Sequence, residues 1–141
     1  MKKSLISLSI IAICMMAFFM MSSFKTSSSA DPSNSAGPIT ILSSNTTSSD
    51  GVTYVGNVQL TGAINASGTY VMPTEVLGMA LHCTFILNLP QGTITIRMLC
   101  NMHTLNGRWT VLGGTGAYQN LEGGGSLTMP GIEELLVGTV R

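Results

Sequence analysis

Two histidines and two cysteines are the residues of this chain best suited to chemistry. His82-Cys83 precedes Cys100 by one strand–turn–strand interval, and His103 lies three residues beyond Cys100. Such a set could hold a tetrahedral metal ion if all four side chains converged. On strands they cannot. Neighbouring residues point to opposite faces, so Cys83 and Cys100 share one face while His82 and a strand-borne His103 take the other. No metal is expected, and the histidines read as partly exposed surface residues. The carboxylates offer less. Glu133 and Glu134 are neighbours, so on a strand they diverge and cannot work as one acid–base pair. Glu75 follows Pro73 in an expected loop. No serine elbow, phosphate loop or metalloprotease motif occurs. No catalytic residue and no cofactor is expected.

The elements that must carry these residues read as strands. Runs rich in Val, Ile, Thr and Tyr, broken by Gly and Pro, predict strands near 52–63, 68–72, 77–89, 93–102, 107–112, 124–129 and 134–140. A short first strand is expected at 39–42, and the polar stretch 43–51 reads as a loop closing on Asp50-Gly51. Around Pro90-Gln91-Gly92 the pattern predicts a hairpin. With Gln91 and Gly92 as its loop, Leu89 faces Ile94, Leu87 faces Ile96, Phe85 faces Met98 and Cys83 faces Cys100. All eight lie on one apolar face. A slip of two residues would keep the faces and change the partners. In this register the two cysteines occupy a non-hydrogen-bonded pair, where Cα atoms approach to about 4.5 Å. A disulfide can form at that distance and would contribute roughly 3 kcal/mol. The alternative is two buried thiols packed as small hydrophobes.

Composition narrows the partners. Six Lys+Arg balance six Asp+Glu, and only 9% of the 141 residues are charged, with no basic run. Nucleic acid is therefore excluded as the main partner. Met1-Lys2-Lys3, the apolar run 5–21 and a polar, small-residue exit have the layout of a secretory signal, with Ser28-Ser29-Ala30 as a cleavage site. An uncleaved membrane anchor is the alternative. The expected organisation is a signal over 1–30, a Ser/Thr-rich flexible leader over 31–50 and a barrel domain over 51–141. Cleavage would remove every lysine and leave three arginines against six carboxylates.

The most distinctive stretch runs from Trp109 to Gly123. An alternating apolar strand enters Gly113-Gly114-Thr115-Gly116, and Tyr118 and Leu121 follow with the spacing of a single helical turn. The glycines predict a sharp corner, with Tyr118 and Leu121 laid over one end of the sheet. Gly123, Gly124 and Gly125 predict a second bend. This strand–GGTG–aromatic–Gly pattern resembles that of the dirigent and allene oxide cyclase-like barrel proteins, small bacterial exported members included. The resemblance implies an eight-stranded antiparallel barrel with an apolar interior cavity. It also implies the relatives' chemistry, which is steering of phenoxy-radical coupling or cyclisation of a fatty-acid epoxide. Glu122 stands where many plant relatives have Arg, and no family active-site residue is carried over.

The sequence thus predicts an exported, secreted or periplasmic all-β protein built as one closed antiparallel barrel of about eight strands. Its expected role is non-catalytic, either holding a small apolar molecule or serving as a stable extracellular module. Phe85, Leu87, Ile96 and Met98 are the candidates to line the cavity, with Trp109 and Tyr118 near one mouth. A cyclase-like enzyme would need an inward polar residue, for which His82, Arg97 and Glu122 are the candidates. Self-association into a homo-oligomer is a third reading.

Overall fold

A computed structural model describes residues 36–141, so the expected secretory signal lies outside the described residues. Eight strands follow one another: β1 (Gly37–Ser48), β2 (Thr53–Gly62), β3 (Ala66–Leu77), β4 (Ala80–Leu89), β5 (Gly92–Asn101), β6 (Asn106–Gly114), β7 (Gly123–Thr128) and β8 (Leu135–Val140). Each pairs antiparallel with its sequence neighbour, and β8 pairs with β1 to close a barrel. Closure leaves no free sheet edge. The connections β1–β2, β3–β4, β5–β6 and β7–β8 form one end, here called upper. The other connections form the lower end.

Alternation decides what lies inside. On β4 and β5, Cys83, Phe85, Leu87, Leu89, Ile94, Ile96, Met98 and Cys100 are all buried, as the sequence predicts. Their partners differ by two residues. Leu89 pairs with Gly92, Leu87 with Ile94, Phe85 with Ile96 and Cys83 with Met98. Proline explains the slip. In the expected register Pro90 would sit in the closing pair, where a backbone N–H is needed; in the structure it occupies the turn with Gln91, where none is. Gly92 then takes a φ of 145° in a place where a Cβ would strike the Thr115 carbonyl.

Several segments expected as loops are strand. The polar stretch 43–48 continues β1, with an irregularity between Ser44 and Thr47, so the barrel begins at Gly37 rather than at 51. Serine and threonine are compatible with extended backbone, and Asp50 closes the turn by accepting the Val52 and Thr53 N–H groups at 2.9 and 2.7 Å. Those bonds stabilise the ionised carboxylate and lower its pKa to about 2. Glu75 lies on β3 opposite His82, because the chain turns at Gly78-Met79 inside the expected strand 77–89. Gly123, Gly124 and Gly125 make no bend; they begin β7.

The glycine-rich start of β7 serves the largest side chain of the core. Trp109 is 1% exposed, and its Nε1 donates to the Val137 carbonyl at 3.3 Å. A Cβ at Gly138 would lie 2.2 Å from the Gly124 carbonyl oxygen and 2.7 Å from the indole Cζ2. One at Gly125 would lie 2.1 Å from the Val137 carbonyl oxygen and 2.9 Å from the indole Nε1. The indole occupies space that two facing strands leave empty. Gly138→Ala should therefore cost about 1–3 kcal/mol through overpacking. Urea denaturation should show an earlier midpoint, with the Trp109 emission altered in the folded variant; an unchanged midpoint would contradict this packing.

Candidate functional site

The interior is lined by close-packed side chains. The six cavity candidates, Phe85, Leu87, Ile96, Met98, Trp109 and Tyr118, all face inward at 1% exposure or less. Tyr70 packs edge-on to Phe85 with ring centroids 4.7 Å apart, and its hydroxyl lies 2.7 Å from Thr46 Oγ1. At the lower end the GGTG segment makes the predicted corner. Gly116–Tyr118 forms one 3₁₀ turn, and Tyr118 and Leu121 fold in beside Ile64 to cover that end.

The upper end is different. Val52, Val76, Leu77, Met79, Met102, Leu105 and Ile132, spread over all four upper connections and the strand ends beside them, are exposed. An open groove of about 560 Å³ lies at this rim. Leu77, Met79, Ala80 and Leu99 supply its apolar surface, while Asn101, Asn106 and Arg108 supply polar groups around Cys100. Its volume and its apolar lining with a few polar groups fall in the range of small-molecule sites, though it is a shallow groove and not an enclosing cleft.

Sequence reasoning missed one buried polar pair. Ser43 and Glu134 continue the β1–β8 ladder inward at 0% and 1% exposure. Ser43 N–H donates to the Glu134 carbonyl at 3.0 Å, the Glu134 N–H donates to Ser43 Oγ at 2.7 Å, and that hydroxyl donates to Glu134 Oε2. Burial pushes the Glu134 carboxyl above its usual range, with the Ser43 hydrogen bond pulling the other way. The signal was the period of β8: Leu136 and Val140 face inward, so Glu134 must too. The pair fastens the barrel seam.

The cysteines require a correction. Cys83 and Cys100 are free thiols, both buried. The two-residue slip sets Cys83 opposite Met98 and Cys100 opposite Leu81, so the cross-strand pairing that a disulfide needed is absent. Burial, then the field of Glu134, raises the Cys83 pKa to about 12, and burial raises that of Cys100. A thiol so held is a poor nucleophile. His82 lies on the outer face of β4, and His103 stands in the β5–β6 connection beyond the end of β5. Among the described residues no three metal-ligating side chains gather. Arg97 also faces out, and Glu122 is engaged with Arg141 at 3.1 Å, so neither fills the inward polar place that a cyclase would need.

Comparison of the chain with family models, with curated proteins and with solved structures gives no match.

Two outcomes follow from this chemistry. The folded Glu134 holds its proton more tightly than the unfolded residue. Its stabilising contribution is therefore complete below the ordinary value of 4.5 and is lost as pH rises through the raised folded value. Urea midpoints should decline over that rise, and Glu134→Gln should flatten the decline. Ser43→Ala should cost about 1–3 kcal/mol, because it strips a buried carboxyl and an N–H of their partner. For the cysteines, alkylation of the native protein at pH 8 should spare Cys83. Unfolding without reductant should then expose both Cys83 and Cys100 to the reagent, as peptide mapping would show.

Proposed function

We propose that this protein is an exported, non-catalytic barrel that binds one small apolar molecule at its upper rim. The observation that carries the reading is the contrast between the two ends. The lower end folds Tyr118 and Leu121 inward and leaves Leu112 exposed beside a groove of about 580 Å³. The upper end exposes seven large apolar residues, of which Leu77 and Met79 line a groove of about 560 Å³. Exposed apolar surface gathered in one place marks a binding site more often than chance exposure does. The filled interior supports a site at the rim rather than deep in the barrel, as an eight-stranded barrel can be packed solid by its own side chains. The eight-stranded closure and the glycine corner support kinship in fold with allene oxide cyclase-like and dirigent proteins. His82, Arg97 and Glu122 lie outside the barrel, and the inward polar residues, Ser43 and Glu134, are hydrogen-bonded to each other, which argues against sharing their chemistry.

A neutral fluorescent probe such as N-phenyl-1-naphthylamine should bind saturably. Met79→Asp, which changes an exposed residue at the groove, should weaken that binding at least tenfold while leaving the far-ultraviolet dichroism intact. Native mass spectrometry of protein from its own source should show an added apolar mass. No saturable probe binding together with a clean apo mass would defeat the reading. Self-association through the same rim is a second reading, favoured by the spread of exposed apolar residues over all four connections. It predicts a dimer in sedimentation that Met79→Asp dissociates.

A further inference from the structure

The barrel is poor in cations, and that makes their placement informative. Among the described residues there are three arginines and no lysine, against five carboxylates. Arg141 is paired with Glu122. Arg97 and Arg108 have no ionic partner among the described residues, yet they are set together. Arg97 pairs with Thr110 and Leu99 with Arg108, so the two arginines are diagonal neighbours on the outer face of β5 and β6. On the other side Thr84 pairs with Arg97 and His82 with Leu99, which makes His82 diagonal to Arg97 as well. Diagonal neighbours stand about 7–8 Å apart, within reach of side chains as long as arginine.

Like charges set side by side repel, and a purely structural surface would relieve that with a carboxylate between them. The positions between and beside them are instead Leu99, Thr84 and Thr110, an apolar residue and two hydroxyls. A groove of about 420 Å³ opens beside Arg97, and Thr74, His82, Thr84 and Arg97 line it together with one carboxylate, Glu75. Proline helps to form it. Counting back from the closing pair Leu77:Ala80, alternate pairs exchange hydrogen bonds, and Pro73 opposite Thr84 falls where a donor is due. The β3–β4 ladder skips the rungs at Met72 and Pro73, and the groove reaches down to Cys83 there.

We infer that the outer face of β4, β5 and β6 binds a tetrahedral oxyanion, a phosphate- or sulfate-type group, between Arg97, Arg108 and His82. The guanidinium groups offer paired N–H donors matched to such oxygens, and Thr84 and Thr110 offer hydroxyls. Glu75, opposite His82, lines the groove on the β3 side and opposes a bound anion by its own charge. This inference does not rest on the apolar-ligand reading. Arg97 and His82 line the second groove; Arg108 lines only the first and joins the cluster as the diagonal neighbour of Arg97.

Calorimetric titration of the full chain with inorganic phosphate, sulfate and glycerol 3-phosphate, at constant ionic strength in chloride, tests it. Saturable binding by at least one of these anions is expected. Arg97→Gln with Arg108→Gln should weaken it at least tenfold, Glu75→Gln should tighten it severalfold, and Arg141→Gln should leave it unchanged. Tighter binding of glycerol 3-phosphate than of free phosphate identifies an ester as the natural form. Equal binding identifies the free oxyanion. No saturable heat with any of the three, equal competition by chloride, or undiminished binding in the double arginine variant would overturn the inference.

Discussion

Everything in this barrel depends on β8 finding β1. Their ladder runs from Gly37:Val140 to Leu42:Leu135, and the Ser43–Glu134 pair lies beyond its last rung. The residues joined are 91 apart in the chain, so closure costs about 4 kcal/mol in loop entropy on a simple polymer estimate. The return comes from two sources. No strand is left with unpaired backbone groups, and each strand has one face shut away from water. Without that seam, the apolar faces of β1 and β8 would stand at an open edge. A buried serine–carboxyl pair at such a seam is specific in a way that apolar contact is not, because only one register satisfies its hydrogen bonds.

Closure also makes bulk a shared problem. A small barrel must be filled by side chains of uneven size, and here Trp109 is admitted because Gly125 and Gly138 give up theirs. Gly56 does the same for Tyr70, whose ring carbon would lie 2.9 Å from a Cβ there. Glycine in a strand is usually a weakness. In β7 and β8 it is the complement of an indole. The corner at Gly116 and the inward fold of Tyr118 and Leu121 then cover the lower end, while the most exposed apolar residues, Ile132 and Met79, stand at the upper end.

How much of this could be read from the chain follows from what alternation can encode. A period of two assigns faces, so the inward set on β4 and β5 was legible without knowing any partner. It is blind to a slip of two residues. That slip, decided by where Pro90 could be tolerated, separated Cys83 from Cys100 and removed the expected disulfide. Polar composition misled at 43–48, since serines and threonines written in a row resemble a loop until a neighbouring strand claims their backbone. Glu134 was legible in principle from Leu136 and Val140, but a carboxylate pointing inward is unexpected without the Ser43 that β1 supplies from the far end of the sequence. The oxyanion cluster was beyond reach for the same reason. Arg97 and Arg108 become neighbours only through the β5–β6 register.

Burial sets the protonation of the barrel's interior. The shifted groups inside move toward their neutral forms: Glu134 and Tyr70 are raised by burial, and Cys83 is raised to about 12. Neutrality suits a packed core, because an ion there would have to be paired or would unfold it. At 1% exposure the Glu134 carboxyl is also out of reach of a molecule outside the barrel. The ionisable groups free of burial are on the outer wall and at the rim, where strand pairing has gathered two arginines, a histidine and a ring of apolar side chains. The barrel thus keeps its interior neutral and filled and carries its charged side chains on the outer wall and at its ends.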